Sequence, residues 1–224
     1  MSDDRCSRYV YNTLSKLQEY DDNQLFAYFE NVPVRTLEKA VEQIIFLIPD
    51  IREKVEIAKK KCNRQLRILN LDESAAIYLY TMSTCLFSSL NEKLKCKDRH
   101  ALEPWFAYLK LLMTALKNLP SIKRTIWRGV PGGNHLEEYG DDIRMLWPVT
   151  SCSWDLAALK ARLGEKTTLF AIDAINGKDI AAFSAFPEER EVILMPGTLV
   201  HDKCSPVDIN SFVVAHLEEV DCQE

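Results

Sequence analysis

The spacing of apolar residues changes once along the chain, near Pro120, and this change limits the folds that the sequence can adopt. Before Pro120, apolar residues recur at the three- and four-residue intervals of amphipathic helices. After Pro120, short apolar runs are separated by turn sequences such as Asn176-Gly177 and Pro196-Gly197, which is typical of strands. Helices that precede a run of strands predict an α+β fold, because an α/β fold would alternate the two.

The same patterns predict the individual elements. Helices are expected over residues 8–20, 35–48, 51–61, 72–85, 103–118 and 156–163. Asp50 is expected to cap the third of these helices, and Pro104 fits the first turn of the fifth. Strands are expected over residues 125–130, 167–174, 179–185, 191–195, 198–202 and 211–220.

Composition narrows the class of protein. The chain has 224 residues, 47% hydrophobic and 27% charged, which suits one soluble domain with or without a helical extension. Its net charge of −5 argues against a nucleic-acid partner. We see neither a signal peptide nor an apolar run long enough to cross a bilayer, so we expect a cytoplasmic protein without a membrane partner. The seven cysteines include no C-x-x-C pair, which favours free thiols and argues against a metal site.

Two glutamates, Glu189 and Glu191, flank Arg190 just before an apolar run. In a strand, residues two apart point to the same face, so we expect both carboxylates to face one direction and Arg190 the other. On the wall of a cleft, one carboxylate can stabilise positive charge on a sugar while the other orients a nucleophile. The pair therefore suggests chemistry at a glycosidic carbon, although an isolated acidic turn is usually just a solvated surface.

Two further motifs lie upstream. Arg128-Gly129 on a predicted strand can bind a phosphate, because a guanidinium forks onto phosphate oxygens and glycine admits a ligand close to the backbone. A surface arginine paired with an acid is the commoner outcome of such a short motif. Ser151 and Ser153 share a strand face and can hold a carboxylate or a ribose hydroxyl, unless Ser153 caps the next helix. Cys152 between them is expected to be a packed thiol.

The order arginine, Ser-x-Ser, Glu-x-Glu is more specific than any one motif. With it the chain resembles the R-S-E class of mono-ADP-ribosyltransferases, in the arginine-directed branch that has clostridial-toxin-like and eukaryotic ecto-enzyme-like members. The resemblance covers roughly residues 69–220 and extends to Asp72–Thr81, Leu102–Pro120, Thr168–Phe170, Asn176–Lys178 and Pro196–Thr198. The chain departs from the family in having Cys152 where many members have threonine, and in lacking an aromatic residue over 160–164 to stack on nicotinamide.

The resemblance implies the ADP-ribosyltransferase fold, with a helical N-terminal half packed on a mixed β-sandwich core of two sheets that holds an NAD-binding cleft. Residues 1–68 would be a helical N-terminal extension, and residues 69–224 the catalytic domain. NAD would be the co-substrate, with NADP as an alternative, and no metal would be needed. The partner would be a protein with an exposed arginine, and the enzyme itself would be a monomer.

The resemblance also implies which residues would contact NAD. Arg128 would hold the phosphates and the ribose region, with the backbone of Gly129 near the nicotinamide amide. Ser151 would position the ribose and the catalytic carboxylate, and Ser153 would be a further contact. Arg128, the hydroxyl of the Ser-Cys-Ser motif and the two glutamates, Glu189 and Glu191, are expected to converge on one dinucleotide-sized crevice.

The two glutamates would divide the reaction between them. Glu191 would be the catalytic glutamate, and Glu189 would confer arginine as the acceptor of ADP-ribose. Three alternatives stay open at this point. Water could be the main acceptor, which would make the protein an NAD glycohydrolase; the scaffold could bind NAD without chemistry; or the chain could be a structural helical adaptor, which the strand-rich second half disfavours.

Overall fold

The computed structural model describes residues 31–82, 85–96, 98–131, 143–160, 163–164, 167–209 and 212–221. These residues form two compact units. The helical unit comprises the described residues of Glu19–Pro120 and Ala182–Pro187, and the strand unit those of Ser121–Ala181 and Glu188–Glu224. The predicted division at residue 69 stays a prediction, and the helix predicted over residues 8–20 lies outside the described residues.

The helical unit is built from helices whose buried apolar residues form its interior. Its elements are α1 Leu37–Ala40, a 3-10 helix Glu42–Ile44, α2 Ile51–Lys61, α3 Leu71–Thr81, α4 Leu86–Lys95, a 3-10 helix Arg99–Trp105 and α5 Phe106–Asn118. The largest fully buried side chains of this unit are Trp105, Tyr80, Tyr108, Leu37, Ile44, Ile48, Ile51, Ile77, Leu79 and Leu86. None of the described helices is long and apolar enough to span a membrane.

Hydrogen bonds at helix ends explain several boundaries. Helix α3 begins at a capping box, in which the Glu73 amide donates to Asn70 Oδ1 at 3.0 Å and the Asn70 amide to Glu73 Oε2 at 2.9 Å. Asp50 does not cap α2 through its side chain, contrary to expectation, since its backbone is left-handed with φ of 58°. Helix α5 begins after Pro104, which lies in the preceding 3-10 helix. The helix predicted over 35–48 is interrupted at Val41.

The strand unit contains all seven described strands and one short α-helix. Its elements are β1 Ser121–Pro131, β2 Arg144–Leu146, β3 Thr150–Ser153, α6 Leu156–Lys160, β4 Thr167–Asp179, β5 Glu191–Leu194, β6 Thr198–Ile209 and β7 Phe212–Glu219. Two short 3-10 helices, Ala181–Phe183 and Pro187–Glu189, precede β5. The strand predicted over 179–185 is therefore wrong, and β2 was not predicted.

Asn176-Gly177 does not form the predicted turn, and β4 continues through it. The carboxylate of Glu219 accepts the backbone amides of Ile175 at 2.6 Å and Asn176 at 2.9 Å, and also the Asn176 side chain at 3.1 Å. Gly177 pairs with Ile122 of β1. These partners, distant in sequence, satisfy the backbone groups that a tight turn would otherwise use.

The strands form one hydrogen-bonded sheet in the order β1-β3-β5-β4-β7-β6-β2, and β1 also pairs with β4. This extra pairing closes β1, β3, β5 and β4 into a barrel-like ring. The pairing of β4 with β7 is parallel and the others are antiparallel. The mixed character matches expectation and the described strands make one hydrogen-bonded sheet, whereas the two-sheet sandwich and the NAD-binding cleft stay predictions.

Alternation along the strands divides the apolar residues of this unit into two clusters. The main cluster consists of Ile126, Val130, Leu146, Cys152, Phe170, Ile172, Ala174, Val192, Leu194, Val200, Ala215 and Leu217. The second cluster, beside α6, consists of Leu159 and Leu169 with Trp127, Leu156, Leu163 and Val214 packed against them. Burying each of the larger aliphatic side chains contributes about 1.5–3 kcal/mol, so the two clusters fix strands β1 and β4 from both sides.

Candidate active site

Arg128 is brought to the Ser-Cys-Ser motif by the pairing of β1 with β3. Trp127 of β1 lies opposite Ser153 of β3. The Arg128 side chain is 3% exposed, and its Nη1 donates a hydrogen bond of 2.7 Å to the backbone oxygen of Ser151. A buried guanidinium is costly unless hydrogen bonds or charges compensate it. Arg128 is therefore a buried group tied to β3, and not the exposed arginine of the commoner interpretation.

The hydroxyl motif lies on β3 as predicted, with both serines buried on one side and Cys152 on the other, in the main cluster. The Ser153 hydroxyl donates to the backbone oxygen of Glu189 at 2.8 Å and accepts from the amide of Asp155 at 3.1 Å. The cap of α6 is Asp155, whose Oδ1 accepts the amides of Ala157 and Ala158. Ser153 thus connects β3 to the glutamate motif instead of capping the helix.

The two glutamates do not share a strand, so the predicted alternation is wrong. Strand β5 begins at Glu191, whereas Glu189 ends the 3-10 helix before it. Arg190 between them has a left-handed backbone, with φ of 52°. Strand geometry therefore fixes the direction of Glu191 only, and the conformation of Arg190 sets where Glu189 lies. Both carboxylates are buried, with 2% of Glu189 and none of Glu191 exposed.

Pairing of β3 with β5 joins the third motif to the other two. Glu191 lies opposite Ser153, and Ile193 lies opposite Ser151. The strand order β1-β3-β5 therefore brings an arginine, two serines and the glutamate motif onto three neighbouring strands. Within the described ranges, no group of three or more His, Cys, Asp or Glu side chains is arranged to hold a metal ion.

The thiol of Cys152 is buried near two charged groups of the candidate site. Burial raises the pKa of its thiol to about 12, while Arg128 lowers and Glu191 raises the same pKa to smaller extents. A thiol with such a pKa stays protonated at neutral pH, so Cys152 is not a nucleophile. The expectation of a packed thiol is confirmed. Because Arg128 and Glu191 both affect its pKa, the Cys152 sulfur lies close enough to interact electrostatically with each of them.

Gly129 lies directly against the side chain of Leu163. A Cβ built on Gly129 would meet Leu163 Cδ2 more closely than real Cβ atoms approach other carbons, and would lie 3.4 Å from Thr167 Cγ2. Leu163 belongs to the segment 160–164 and packs against the cluster of Leu159 and Leu169. The chain thus has a leucine against the Gly129 backbone, in the segment where the family often has an aromatic residue.

Trp154 was missed by sequence analysis. The Arg124 and Arg190 guanidinium carbons lie 4.5 and 5.2 Å from the centroid of its ring. Its backbone amide donates to the oxygen of Arg190 at 3.2 Å. The only sequence signal was its position directly after the hydroxyl motif, since the arginines that contact it lie far from it along the chain.

Solved structures with the same fold have low sequence identity to this chain. The type III effector XopAI of Xanthomonas axonopodis pv. citri is 16% identical, with a TM-score of 0.66 over 89% of this chain and 97% of its own. The ADP-ribosyltransferase Vis of Vibrio splendidus, solved with agmatine, is 19% identical, with a TM-score of 0.57 over 87% and 90%. The eukaryotic mono-ADP-ribosyltransferase ART2.2 is 16% identical, with a TM-score of 0.59 over 95% and 94%.

The family comparison covers most of the chain. No curated protein matches the sequence, but the family model for NAD:arginine ADP-ribosyltransferases matches residues 32–214. The match includes all three motifs and begins within the predicted extension 1–68. The fold, the motif order and this match together confirm the resemblance, and the chain belongs to the NAD:arginine ADP-ribosyltransferase family.

Proposed function

We propose that this protein transfers ADP-ribose from NAD to arginine side chains of proteins and releases nicotinamide. Family membership supports mono-ADP-ribosyltransferase activity with NAD as the co-substrate. The observation that carries the proposal is that Arg128, the serines and Glu191 lie on the neighbouring strands β1, β3 and β5, with Glu189 just before β5. The donor set suits a dinucleotide, because a guanidinium binds phosphate, hydroxyls bind ribose and a carboxylate stabilises a cationic sugar.

Cleavage of NAD is assigned to Glu191. The bond between ribose C1′ and the nicotinamide nitrogen breaks, its electron pair leaves with nicotinamide, and positive charge develops on the ribose. Glu191 is fully buried, and a carboxylate held in a low dielectric stabilises such charge far better than one in water. Arg128 and Ser151 serve to hold NAD in place, which is itself a large share of catalysis.

Activation of the acceptor is assigned to Glu189. The guanidinium of an arginine is protonated in water and is therefore a poor nucleophile. Glu189 pairs with it, orients one nitrogen towards C1′ and takes the proton as the new C–N bond forms. Vis, a fold relative, was solved with agmatine, which carries a guanidinium, and this supports the choice of acceptor.

The proposal extends to the remaining NAD contacts, the catalytic domain and the oligomeric state. Gly129 and Ser153 complete the NAD contacts, and residues 69–224 hold the catalytic residues. The enzyme acts as a monomer with NAD, and NADP can replace NAD.

One assay tests the proposal. The protein is incubated with NAD labelled in the adenosine moiety, with and without agmatine, and labelled agmatine and free ADP-ribose are both measured. Label on agmatine is the expected result. Free ADP-ribose alone would indicate an NAD glycohydrolase, and neither product would indicate an NAD-binding module.

Variants of the two glutamates assign their roles. Glu191→Gln should lower the rates of both NAD cleavage and transfer by a factor of roughly 10²–10³. Glu189→Gln should reduce transfer while NAD hydrolysis partly survives, and equal loss of both activities would contradict a dedicated acceptor role. Glu92→Gln, an exposed glutamate of α4, is the matched control and should leave both products unchanged.

A further inference from the structure

Trp154 stands outside the three motifs, yet it contacts the residue at the centre of the glutamate motif. Its amide donates to the backbone oxygen of Arg190 at 3.2 Å, and the Arg190 guanidinium carbon lies 5.2 Å from the centroid of its ring. A guanidinium within about 6 Å of an aromatic centroid is attracted to the ring. Trp154 therefore contacts Arg190 through both its backbone and its side chain.

Arg190 adopts a backbone conformation that a residue with a Cβ disfavours. Its φ is 52°, in the left-handed region that glycine enters readily and other residues do not. A non-glycine residue persists there only when its surroundings hold it. Since Arg190 lies between Glu189 and Glu191, its dihedral angles determine how the first glutamate is directed relative to the second.

The neighbouring contacts anchor the two sides of this turn separately. The Ser153 hydroxyl donates to the backbone oxygen of Glu189 at 2.8 Å, and the Ile180 amide donates to that of Glu191 at 3.0 Å. Trp154, by contrast, contacts Arg190 itself, at its backbone oxygen and at its guanidinium. Trp154 also packs against the main cluster and has the Arg124 guanidinium carbon 4.5 Å from its ring centroid, which restrains the ring.

We propose that Trp154 is a positioning residue that holds Arg190 in its left-handed conformation and so fixes Glu189 relative to Glu191. The inference rests on the proposed function, in which Glu191 cleaves NAD and Glu189 activates the acceptor arginine. A loosened Arg190 displaces Glu189, whereas Glu191 stays fixed by the pairing of β5 with β3. Trp154 therefore controls how much cleaved NAD is transferred to arginine and how much is lost to water.

The first test replaces the ring. Trp154→Leu removes the aromatic face. The ratio of agmatine transfer to NAD hydrolysis should then fall by roughly fivefold to thirtyfold, which corresponds to the free-energy cost of holding a non-glycine residue in the left-handed conformation. Trp154→Phe retains an aromatic face and should keep most of the ratio. Because each ratio is taken within one sample, a smaller folded fraction does not alter it. An unchanged ratio in Trp154→Leu, or equal loss in both variants, would overturn the proposal.

The second test changes Arg190 itself, which is exposed, so that folding is little affected. Arg190→Gly and Arg190→Ala both lack the guanidinium, but only glycine adopts a positive φ without strain. The glycine variant should keep a transfer ratio near that of the wild type, and the alanine variant should lose it. Equal ratios in the two variants would refute the role of the left-handed conformation.

The two proposals fail in different ways. If the wild-type protein places no label on agmatine, the proposed arginine transfer is wrong, and the inference built on it is overturned as well. If the wild type labels agmatine and the Trp154 and Arg190 variants do so with unchanged ratios, only the positioning role is refuted.

Discussion

Gly129→Ala separates the packing role of this glycine from its proposed role in NAD binding. Gly129 has no positive φ, so alanine can adopt its backbone conformation and only the added methyl matters. That methyl would overlap Leu163 Cδ2 and contact Thr167 Cγ2. Leu163 must therefore move, although it packs against the cluster of Leu159 and Leu169.

The size of the effect follows from two opposing contributions. Inserting a methyl group into a packed site costs about 1–3 kcal/mol, and the half-buried position of Leu163 favours the lower part of that range. Alanine loses less conformational entropy than glycine on folding, which offsets about 0.5–1 kcal/mol. We therefore expect Gly129→Ala to lower the free energy of unfolding by about 0.5 kcal/mol net.

The double variant Gly129→Ala with Leu163→Ala tests the origin of this loss. Leu163→Ala alone should destabilise by less than the 2–5 kcal/mol or so typical of fully buried leucines, because Leu163 is half-buried. With Leu163 truncated, the methyl at position 129 fills part of the vacated space. The double variant should therefore be more stable than the sum of the single effects predicts, by about 1–2 kcal/mol. Urea unfolding of all four proteins measures this coupling.

NAD hydrolysis in the same four proteins then separates the two roles. If Gly129 matters only through packing, the double variant should recover hydrolysis together with stability. If its backbone lies against nicotinamide as proposed, the added methyl should still raise the KM for NAD when Leu163 is truncated. Additive destabilisation, or a Gly129→Ala variant as stable as the wild type, would refute the packing argument.

Three further predictions concern other parts of the chain. Cys152 should resist alkylation in the folded protein at pH about 8, because burial raises its pKa to about 12. The exposed Cys204 should react under the same conditions. Peptide mass spectrometry measures the alkylation of both cysteines. Burial favours protonation of Asp173, but hydrogen bonds from Lys203, Thr125 and His216 outweigh it and lower its pKa from 3.8 to about 2. The ionised Asp173 should stabilise the folded state by about 1 kcal/mol after allowance for solvent screening. This stabilisation should be present above about pH 4 and be lost towards pH 2. The urea midpoints of the wild type and Asp173→Asn should therefore converge near pH about 2. Asn70→Ala should lower the unfolding free energy by about 1 kcal/mol, because it removes the capping box of α3; an unchanged melting temperature would contradict this.

Much of the strand unit could be predicted because its signals are local. The apolar runs of β1, β5 and β7 have the expected period, and the hydroxyl motif lies on a strand as predicted. Other features depend on distant partners that a local pattern does not contain. Glu219, 44 positions from Ile175, keeps Asn176-Gly177 within β4 by accepting its backbone amides. No pattern within residues 170–180 predicts that.

Sequence analysis predicted which strands of the candidate site would carry its motifs, but not the geometry of the glutamates. Arg128, Ser151 and Glu191 were chosen from motif order, and the pairings of β1 with β3 and of β3 with β5 bring their strands together. The orientation of the glutamates was predicted from strand alternation, which fails because Arg190 is left-handed. An arginine gives no local signal for this conformation, which glycine or asparagine would have suggested.

This difference bears on how acceptor choice can vary within one fold. The positions of Arg128 and Glu191 depend on the β1-β3-β5 pairings, which a low-identity relative must keep in order to keep the sheet. The position of Glu189 depends on one residue outside the strand and on the side chains that hold it. If Glu191 cleaves NAD and Glu189 activates the acceptor, as proposed, cleavage is supported by the sheet, whereas arginine transfer depends on a turn that a single substitution can alter. The proposed roles place those two activities on different structural elements, so a change at Trp154 or Arg190 is expected to alter the acceptor while the NAD chemistry is retained.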